Sequence, residues 1–115
     1  MKPLGPIASY QDAGADPYYT LYVDFTDRLV TDEVIVTASV LTDVSGILIA
    51  ESQGTTEDLE NEEDGSVVEA GQAVQFNVTV QSRMRRTVPL TVKIVTDLNH
   101  VDVVWTDLVV KWKVR

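Results

Sequence analysis

The chain has 115 residues, the size of one ordinary domain, and its hydrophobic content of 44% is too high for a disordered chain. The absence of cysteine excludes disulfides, zinc–thiolate sites, iron–sulfur clusters and a thiol nucleophile. The net charge of −9 argues against nucleic-acid binding, because contacts with phosphate dominate that kind of affinity.

Two kinds of targeting segment are not indicated by the sequence. Every apolar run is shorter than the roughly 18 residues that a membrane helix needs. The opening stretch MKPLGPIASY has no central apolar segment of the kind found in secretory signals. We therefore expect a protein that is made in the cytoplasm and has no membrane partner.

The first 17 residues differ from the rest of the chain. They hold three of the four prolines, together with Gly5 and Gly14. Proline and glycine interrupt regular secondary structure, so this composition favours a connecting segment. We predict an extended N-terminal arm over residues 1–17, rather than a strand, followed by a single domain over 18–115.

Strict alternation of apolar and polar residues dominates the remainder, and no stretch has the spacing of an amphipathic helix. Clusters of turn-forming residues separate the alternating runs, for example at 43–46 and 97–100. The pattern predicts strands over 18–25, 33–41, 46–50, 73–80, 88–96 and 102–115, a further short strand over 66–70, and a 3₁₀ turn over 26–29. We therefore predict an all-β domain, an antiparallel immunoglobulin-like β-sandwich of about seven strands, with a small barrel as the competing architecture.

The same alternation predicts where the aromatic side chains point. Tyr18 and Tyr22 share the face opposite the core, which makes them candidate partner contacts. Trp105 and Trp112 have opposite parity, so one of them belongs to the core. The other is either exposed or shifted by a bulge near residues 106–107. An exposed ring would anchor a protein interface or form a sugar-binding platform, while ordinary sheet packing remains the simpler interpretation.

A strongly acidic loop is predicted over residues 52–65. It contains the stretch TTEDLENEEDGS, whose acids are Glu57, Asp58, Glu60, Glu62, Glu63 and Asp64. Their order does not match the ligand spacing of an EF-hand loop, and crowded exposed acids lack the burial that separates catalytic pKa values. We interpret the loop as a solvated connection first and as a docking surface for a basic partner second, with no metal or cofactor.

Charge is divided along the sequence. Between Arg28 and Arg83 there are eleven acids and no lysine or arginine, whereas from Arg83 onward seven basic residues face three acids. The stretch SRMRRT contributes three of these, the candidate contacts Arg83, Arg85 and Arg86. Complementary charge steers and orients partners, so this division favours self-association or head-to-tail docking.

Catalytic chemistry finds little support in the sequence. His100 is the only histidine, it lies in a predicted turn, and no serine accompanies it in a recognisable nucleophile motif. We predict that the protein is not an enzyme and that it has no catalytic residues.

Two stretches resemble a known family. Residues 15–40, with Asp16-Pro17, the segment VDFTDRL and the run from Asp32 to Ile35, are similar to the opening of small tailed-phage virion proteins. Residues 88–115, ending in LVVKWKVR, resemble the last hairpin of the same proteins, the fibre–tail adaptors and immunoglobulin-like head-decoration proteins. Two tryptophans of the family pattern are Phe25 and Arg28 here, and the acidic loop has no counterpart in it.

The resemblance implies a structural role, and no functional residue is transferred by it. It implies a non-catalytic virion component that docks on the head or tail through contacts with other virion proteins, in many symmetric copies or as a homo-oligomer, as capsid decoration or fibre–tail adaptor. The alternative is a carbohydrate-binding β-sandwich module on a virion or cell surface. Both remain open from the sequence.

Overall fold

The computed structural model describes residues 2–3, 7–12, 18–60, 65–81 and 85–113. Within these ranges the chain forms ten β-strands and one turn of 3₁₀ helix, which confirms the all-β prediction. No helix in the described part of the chain is long and apolar enough to cross a membrane.

The strands form two four-stranded sheets and one small hairpin. They are β1 (Lys2–Pro3), β2 (Ile7–Asp12), β3 (Tyr18–Asp24), β4 (Ile35–Leu41), β5 (Ile47–Gly54), β6 (Leu59–Glu60), β7 (Val67–Val68), β8 (Ala73–Val80), β9 (Arg85–Thr96) and β10 (Val101–Lys113), and the 3₁₀ turn is Thr26–Arg28. The first sheet has the order β1-β3-β8-β5 and the second the order β2-β10-β9-β4. Strands β6 and β7 pair only with each other. All described pairings are antiparallel except β1 with β3 and β2 with β10.

The core lies between the inner faces of the two sheets. Alternate residues of β8 in the first sheet and of β9 and β10 in the second contribute to one apolar cluster. Phe76, Leu90 and Leu108 are among its members with no accessible surface. Burying a side chain of this size stabilises the fold by roughly 1.5–3 kcal/mol, so this shared cluster holds the sheets face to face.

The N-terminal segment departs from its predicted form. Strand β1 pairs with Leu21 and Tyr22 of the first sheet, and β2 pairs with residues 108–113 of the second. These stretches are therefore strands of the sheets, where an arm was predicted. Proline is tolerated on an edge strand, because its missing N–H faces away from the ladder, and β1 with Pro3 is such an edge.

Register irregularities occur in β4 and β5. They fall between Ile35 and Thr37 and between Ala50 and Gln53. The pairing of β9 with β10 is continuous, so the bulge considered near residues 106–107 is not found. Strand β5 also extends to Gly54, which shortens the loop predicted over 52–65 from its N-terminal side.

Three backbone hydrogen bonds join the connections at one end of the molecule. Phe25 N–H donates to the carbonyl of Gln72 (2.9 Å), and Ile35 N–H donates to that of Gly71 (2.8 Å). Asp97 N–H donates to the carbonyl of Val34 (3.0 Å). The β3–β4 connection is thereby held between the β7–β8 turn and the β9–β10 turn, and the connections at this end contain Asp27, Asp32, Glu69 and Asp97.

Candidate functional site

The acidic stretch forms a hairpin that folds onto the outer face of the first sheet. We call residues 55–60 and 65–70 the acidic hairpin. Its two-stranded ladder pairs Leu59 with Val68 and Glu60 with Val67. Val68 and Leu59 pack with Tyr22 and Ala73, which point away from the main core, in a second apolar cluster. The loop is thus anchored by its own small core, which the solvated-loop interpretation did not anticipate.

The base of the acidic hairpin is closed by Thr55 and Gly71. Thr55 is buried, and both its carbonyl and its hydroxyl accept from Gly71 N–H, at 2.8 and 3.1 Å. Gly71 has a φ of +82°, and a Cβ atom at this position would lie 2.9 Å from Val34 Cγ1. Only glycine satisfies both the left-handed backbone and the close approach of Val34, the residue before β4.

The candidate acids are partly within the described residues. Glu57, Asp58 and Glu60 are exposed, and Asp58 accepts a hydrogen bond from Ala70 N–H (2.9 Å) that crosses the hairpin. The remaining candidates Glu62, Glu63 and Asp64 lie outside the described residues. Within the described ranges, no three or more histidine, aspartate or glutamate side chains are grouped so as to hold a metal ion.

The two candidate tyrosines have different outcomes. Tyr22 does lie on the outer face, as its parity predicted, but only 3% of its surface is accessible because the acidic hairpin covers it. The exposed contact predicted for Tyr22 is therefore not found. The backbone of Tyr18 pairs with Thr79, while its side chain lies outside what the structure describes.

The two candidate arginines within the described residues, Arg85 and Arg86, are at the opposite end of the molecule from the acidic hairpin. Arg86 is exposed near the start of β9, next to the C-terminal part of β10. The backbone of Arg85 pairs with that of Lys111 at the same end, and Arg83 lies outside the described residues.

Strand direction therefore separates charge along the longest dimension of the molecule, which is 47 Å. The end that carries the acidic hairpin also holds Asp27, Asp32 and Asp97 in its connections, and we call it the acidic end. At the other end, which we call the basic end, the chain places Arg85, Arg86, Lys111 and Lys113 on two adjacent strands. Asp12, which pairs with Lys113, and Asp43 also lie at the basic end, but the four basic positions outnumber them, so the division of charge in the sequence is reflected in space among the described residues.

A buried carboxylate that the sequence analysis did not single out is central to the acidic end. Glu33 is 2% accessible, and it accepts from the hydroxyl of Thr96 (2.5 Å) and from Val30 N–H (3.0 Å). His100 Nδ1 lies 3.4 Å from the same carboxylate. These hydrogen bonds, that of Thr96 first, hold the pKa of Glu33 below its ordinary value even though burial acts in the opposite direction.

Thr96 links this carboxylate to the β9–β10 turn. While its hydroxyl donates to Glu33, the same oxygen accepts from Leu98 N–H (3.3 Å) and His100 N–H (3.2 Å). The arrangement gives Glu33 and His100 a structural role in shaping the turn. No sequence signal marked this burial, because the alternation over 33–41 assigns Glu33 to the side opposite Val34.

A bidentate ion pair between Arg28 and Asp102 also lies at the acidic end. Arg28, in the 3₁₀ turn, donates from Nε to one oxygen of Asp102 (2.5 Å) and from Nη2 to the other (2.9 Å). The hydrogen bond from Arg28 is the main cause that lowers the pKa of Asp102, and the same contact raises the pKa of Arg28. Arg28 therefore ties the β3–β4 connection to β10.

The uncovered part of the first sheet's outer face carries a polar network. Thr20 donates to the side-chain oxygen of Asn77 (2.9 Å), and the amide nitrogen of Asn77 donates to Glu51 (2.5 Å). Glu51 has a φ of +56° at the irregular part of β5. The network joins three neighbouring strands and leaves no large apolar side chain of β3 or β8 open there among the described residues.

The outer face of the second sheet is different, since it presents a large aromatic side chain to solvent. Trp105 on β10 is 75% exposed, the largest exposed fraction among the large hydrophobic residues that the structure describes. Of the two outcomes considered for the tryptophan pair, exposure is therefore the one found for Trp105. Trp112 is paired through its backbone, and its side chain lies outside the described set.

Comparison of the chain with protein-family models, with curated proteins and with solved structures finds no match. The candidate surfaces must therefore be judged on their own geometry.

Proposed function

We propose that the protein is a non-catalytic immunoglobulin-like module that docks on other proteins in a bacteriophage particle, on the head or the tail. The strand orders support the fold assignment. Strands β3-β8-β5 correspond to B-E-D of an immunoglobulin sandwich, and β10-β9-β4 correspond to G-F-C. The resemblance of residues 15–40 and 88–115 to phage virion proteins supports the location.

The observation that carries the proposal is the separation of charge between the two ends. Exposed carboxylates gather at the acidic end, whereas four basic positions of β9 and β10, with Arg86 exposed among them, lie at the basic end, so a partner would meet a different sign of charge at each end. Complementary ends increase association rates and fix the orientation of a partner more than they increase the affinity of one contact. This suits a component that is added in a defined orientation.

Binding of many copies to one particle would supply the affinity that a single contact lacks. On a symmetric head or tail many copies occupy equivalent positions, and simultaneous contacts raise the total affinity without any new interaction. A domain with a buried core and exposed charge at both ends is suited to this role.

The test uses particles purified from cells that carry the genome encoding this chain. We expect mass spectrometry to find the chain at many copies relative to the major shell protein. Glu60→Lys at the acidic end should reduce its occupancy. Asp43→Lys, which makes the same change in net charge near the basic end, should reduce it much less. Particles that lack the chain would refute the proposed function.

A second candidate is a carbohydrate-binding module, and the exposure of Trp105 favours it. Sugar rings stack on exposed aromatic faces, but the burial of Tyr22 removes one of the platforms that this function would use. A glycan array probed with the wild-type chain and with Trp105→Ala separates the two candidates. Binding that disappears in the variant would support the carbohydrate function.

A further inference from the structure

We infer that the outer face of the second sheet is a twofold interface between two copies of this chain, centred on Trp105. This inference is independent of the proposed function, since it rests on the pattern of side chains on one face and does not use the charged ends.

The register of the sheet defines the face. Leu41, Thr91 and Trp105 form one row across β4, β9 and β10. The neighbouring row contains Ser39, Lys93 and Val103, and the row beyond it contains Thr37, Val95 and Val101. On the other side of the Trp105 row, Pro89 is paired with Asp107.

This face carries apolar side chains at solvent-exposed positions, where a monomeric protein usually has polar ones. Besides Trp105, Leu41 is 64% exposed and Val101 54% exposed. Strand β2 pairs with β10 only from Leu108 onward, so no strand in the described ranges flanks Trp105 on its open edge. Exposed apolar clusters of this kind mark interaction surfaces, and tryptophan is the residue that most often carries the binding energy in them.

Charge identifies the second copy as the occupant. The two charged residues of the face, Lys93 and Asp107, are exposed and make no ion pair with the residues that the structure describes. They lie in the rows on either side of Trp105, each about 7 Å from its row along the strands. A twofold axis along the Trp105 row exchanges these two rows. It therefore brings Lys93 of each copy over the row that holds Asp107 of the other.

The size of the face sets the expected strength. Three strands and four rows cover about 10 Å by 20 Å between backbone positions, which is well below the roughly 800 Å² that each partner of a standard interface buries and is typical of a weak or transient contact. We therefore expect a dimer with a micromolar or weaker dissociation constant, in which the two stacked Trp105 side chains supply most of the affinity.

Sedimentation equilibrium of the purified chain tests the inference, at concentrations up to about 1 mM so that weak association is detected. We expect the wild-type chain to dimerise, and Trp105→Ala to raise the dissociation constant about tenfold or more. Leu48→Ala removes a half-exposed apolar residue from the opposite sheet and is the matched control. A chain that stays monomeric throughout this range, or a Trp105→Ala variant that dimerises like the wild type, would overturn the inference.

A charge exchange tests the symmetry. Lys93→Asp and Asp107→Lys should each weaken the dimer about threefold or more, because each places like charges across the axis. The double variant restores opposite charges across the axis and should return to within about twofold of the wild type. If the double variant is as weak as the sum of the two single changes, the two residues do not face each other. Circular dichroism of all variants confirms that these exposed substitutions leave the fold intact.

Discussion

Each of the two sheets carries an aromatic side chain on its outer face, but the two side chains differ in how much of their surface is exposed to solvent. Tyr22 and Trp105 both point away from the shared core, yet one is almost fully buried and the other is 75% exposed. The difference lies in the acidic hairpin, which lays Leu59 and Val68 over Tyr22. No described element covers Trp105. The alternation of a strand determines which side a residue faces, while burial on that side depends on a segment remote in sequence.

This comparison has a functional meaning. Glu57, Asp58 and Glu60 remain in solvent while Leu59 and Val68 pack onto Tyr22, so the hairpin places a charged cover over the part of the first sheet's outer face around Tyr22. The second sheet's outer face keeps its apolar residues available. One chain thus offers an electrostatic surface at one end and an apolar surface on one face.

The largest expected effect comes from removing the residue that the hairpin covers. Tyr22→Ala should lower the free energy of unfolding by about 3 kcal/mol, because it leaves a cavity between the sheet and the hairpin. It should also make the hairpin more accessible to proteolysis. Urea unfolding and limited proteolysis measure the two effects. A loss below about 0.5 kcal/mol would mean that the hairpin does not pack on Tyr22 in solution.

The next effect concerns the base of the hairpin. Gly71→Ala should destabilise the fold by about 2–3 kcal/mol, since it adds a close contact with Val34 to the cost of a left-handed backbone. Gly65 has a similar φ of +74°, but a Cβ there has no neighbour within 4 Å. Gly65→Ala should therefore cost only about 1 kcal/mol. Urea unfolding of both variants checks the comparison, and equal losses would contradict the contact with Val34.

A smaller effect on the free energy of unfolding, limited to acid pH, is expected from Glu33 at the acidic end. The pKa of Glu33 is lower in the folded chain than its ordinary value of about 4.3. Its carboxylate therefore contributes stability above that value, and the contribution is lost as the pH falls through the lower folded pKa. Urea midpoints between pH 7 and pH 2 should fall less for Glu33→Gln than for the wild type.

Thr96→Val should reproduce part of that change, because the hydroxyl of Thr96 is the main cause of the lowered pKa of Glu33. Parallel pH profiles for the wild type and both variants would show that the ionisation of Glu33 is not linked to folding.

The smallest effect on stability is expected on the open face. Trp105→Ala should change the free energy of unfolding of the monomer by no more than about 0.5 kcal/mol, because the side chain has little packing to lose. Urea unfolding at micromolar concentration isolates the monomer. A loss comparable to that of Tyr22→Ala would show that Trp105 is covered in solution and would remove the contrast between the two faces.

Much of the fold was predictable from the sequence because strand alternation is a local signal. The alternation predicted β3, β8 and β9 to within a few residues, and the turns at Gly46 and Asn99 lie where turn-forming residues cluster. The parallel pairing of β2 was not predictable, since an edge accepts a strand through backbone groups and requires no sequence pattern. The same holds for the pairing of Leu59 with Val68, which are two apolar residues in a charged stretch.

The candidate surfaces were predictable to a smaller extent. The separation of charge could be predicted from the sequence, because its acidic and basic residues lie in separate stretches. The strands then place the acidic hairpin at one end of the molecule and the basic residues of β9 and β10 at the other. The burial of Glu33 could not be predicted, since a lone glutamate before a strand is ordinarily exposed. It is retained there by Thr96, which is 63 residues away in the chain.

The pairing of β2 with β10 has a mechanical consequence. The two strands run in the same direction over six paired residues, from Ile7 with Leu108 to Asp12 with Lys113. A pull on the N-terminal side of β2 against the C-terminal side of β10 therefore draws the strands lengthwise past each other. All the hydrogen bonds of the ladder then share the load and must break together, whereas pulling the strands apart sideways would break them one after another. A chain held at both ends would resist tension along its long axis.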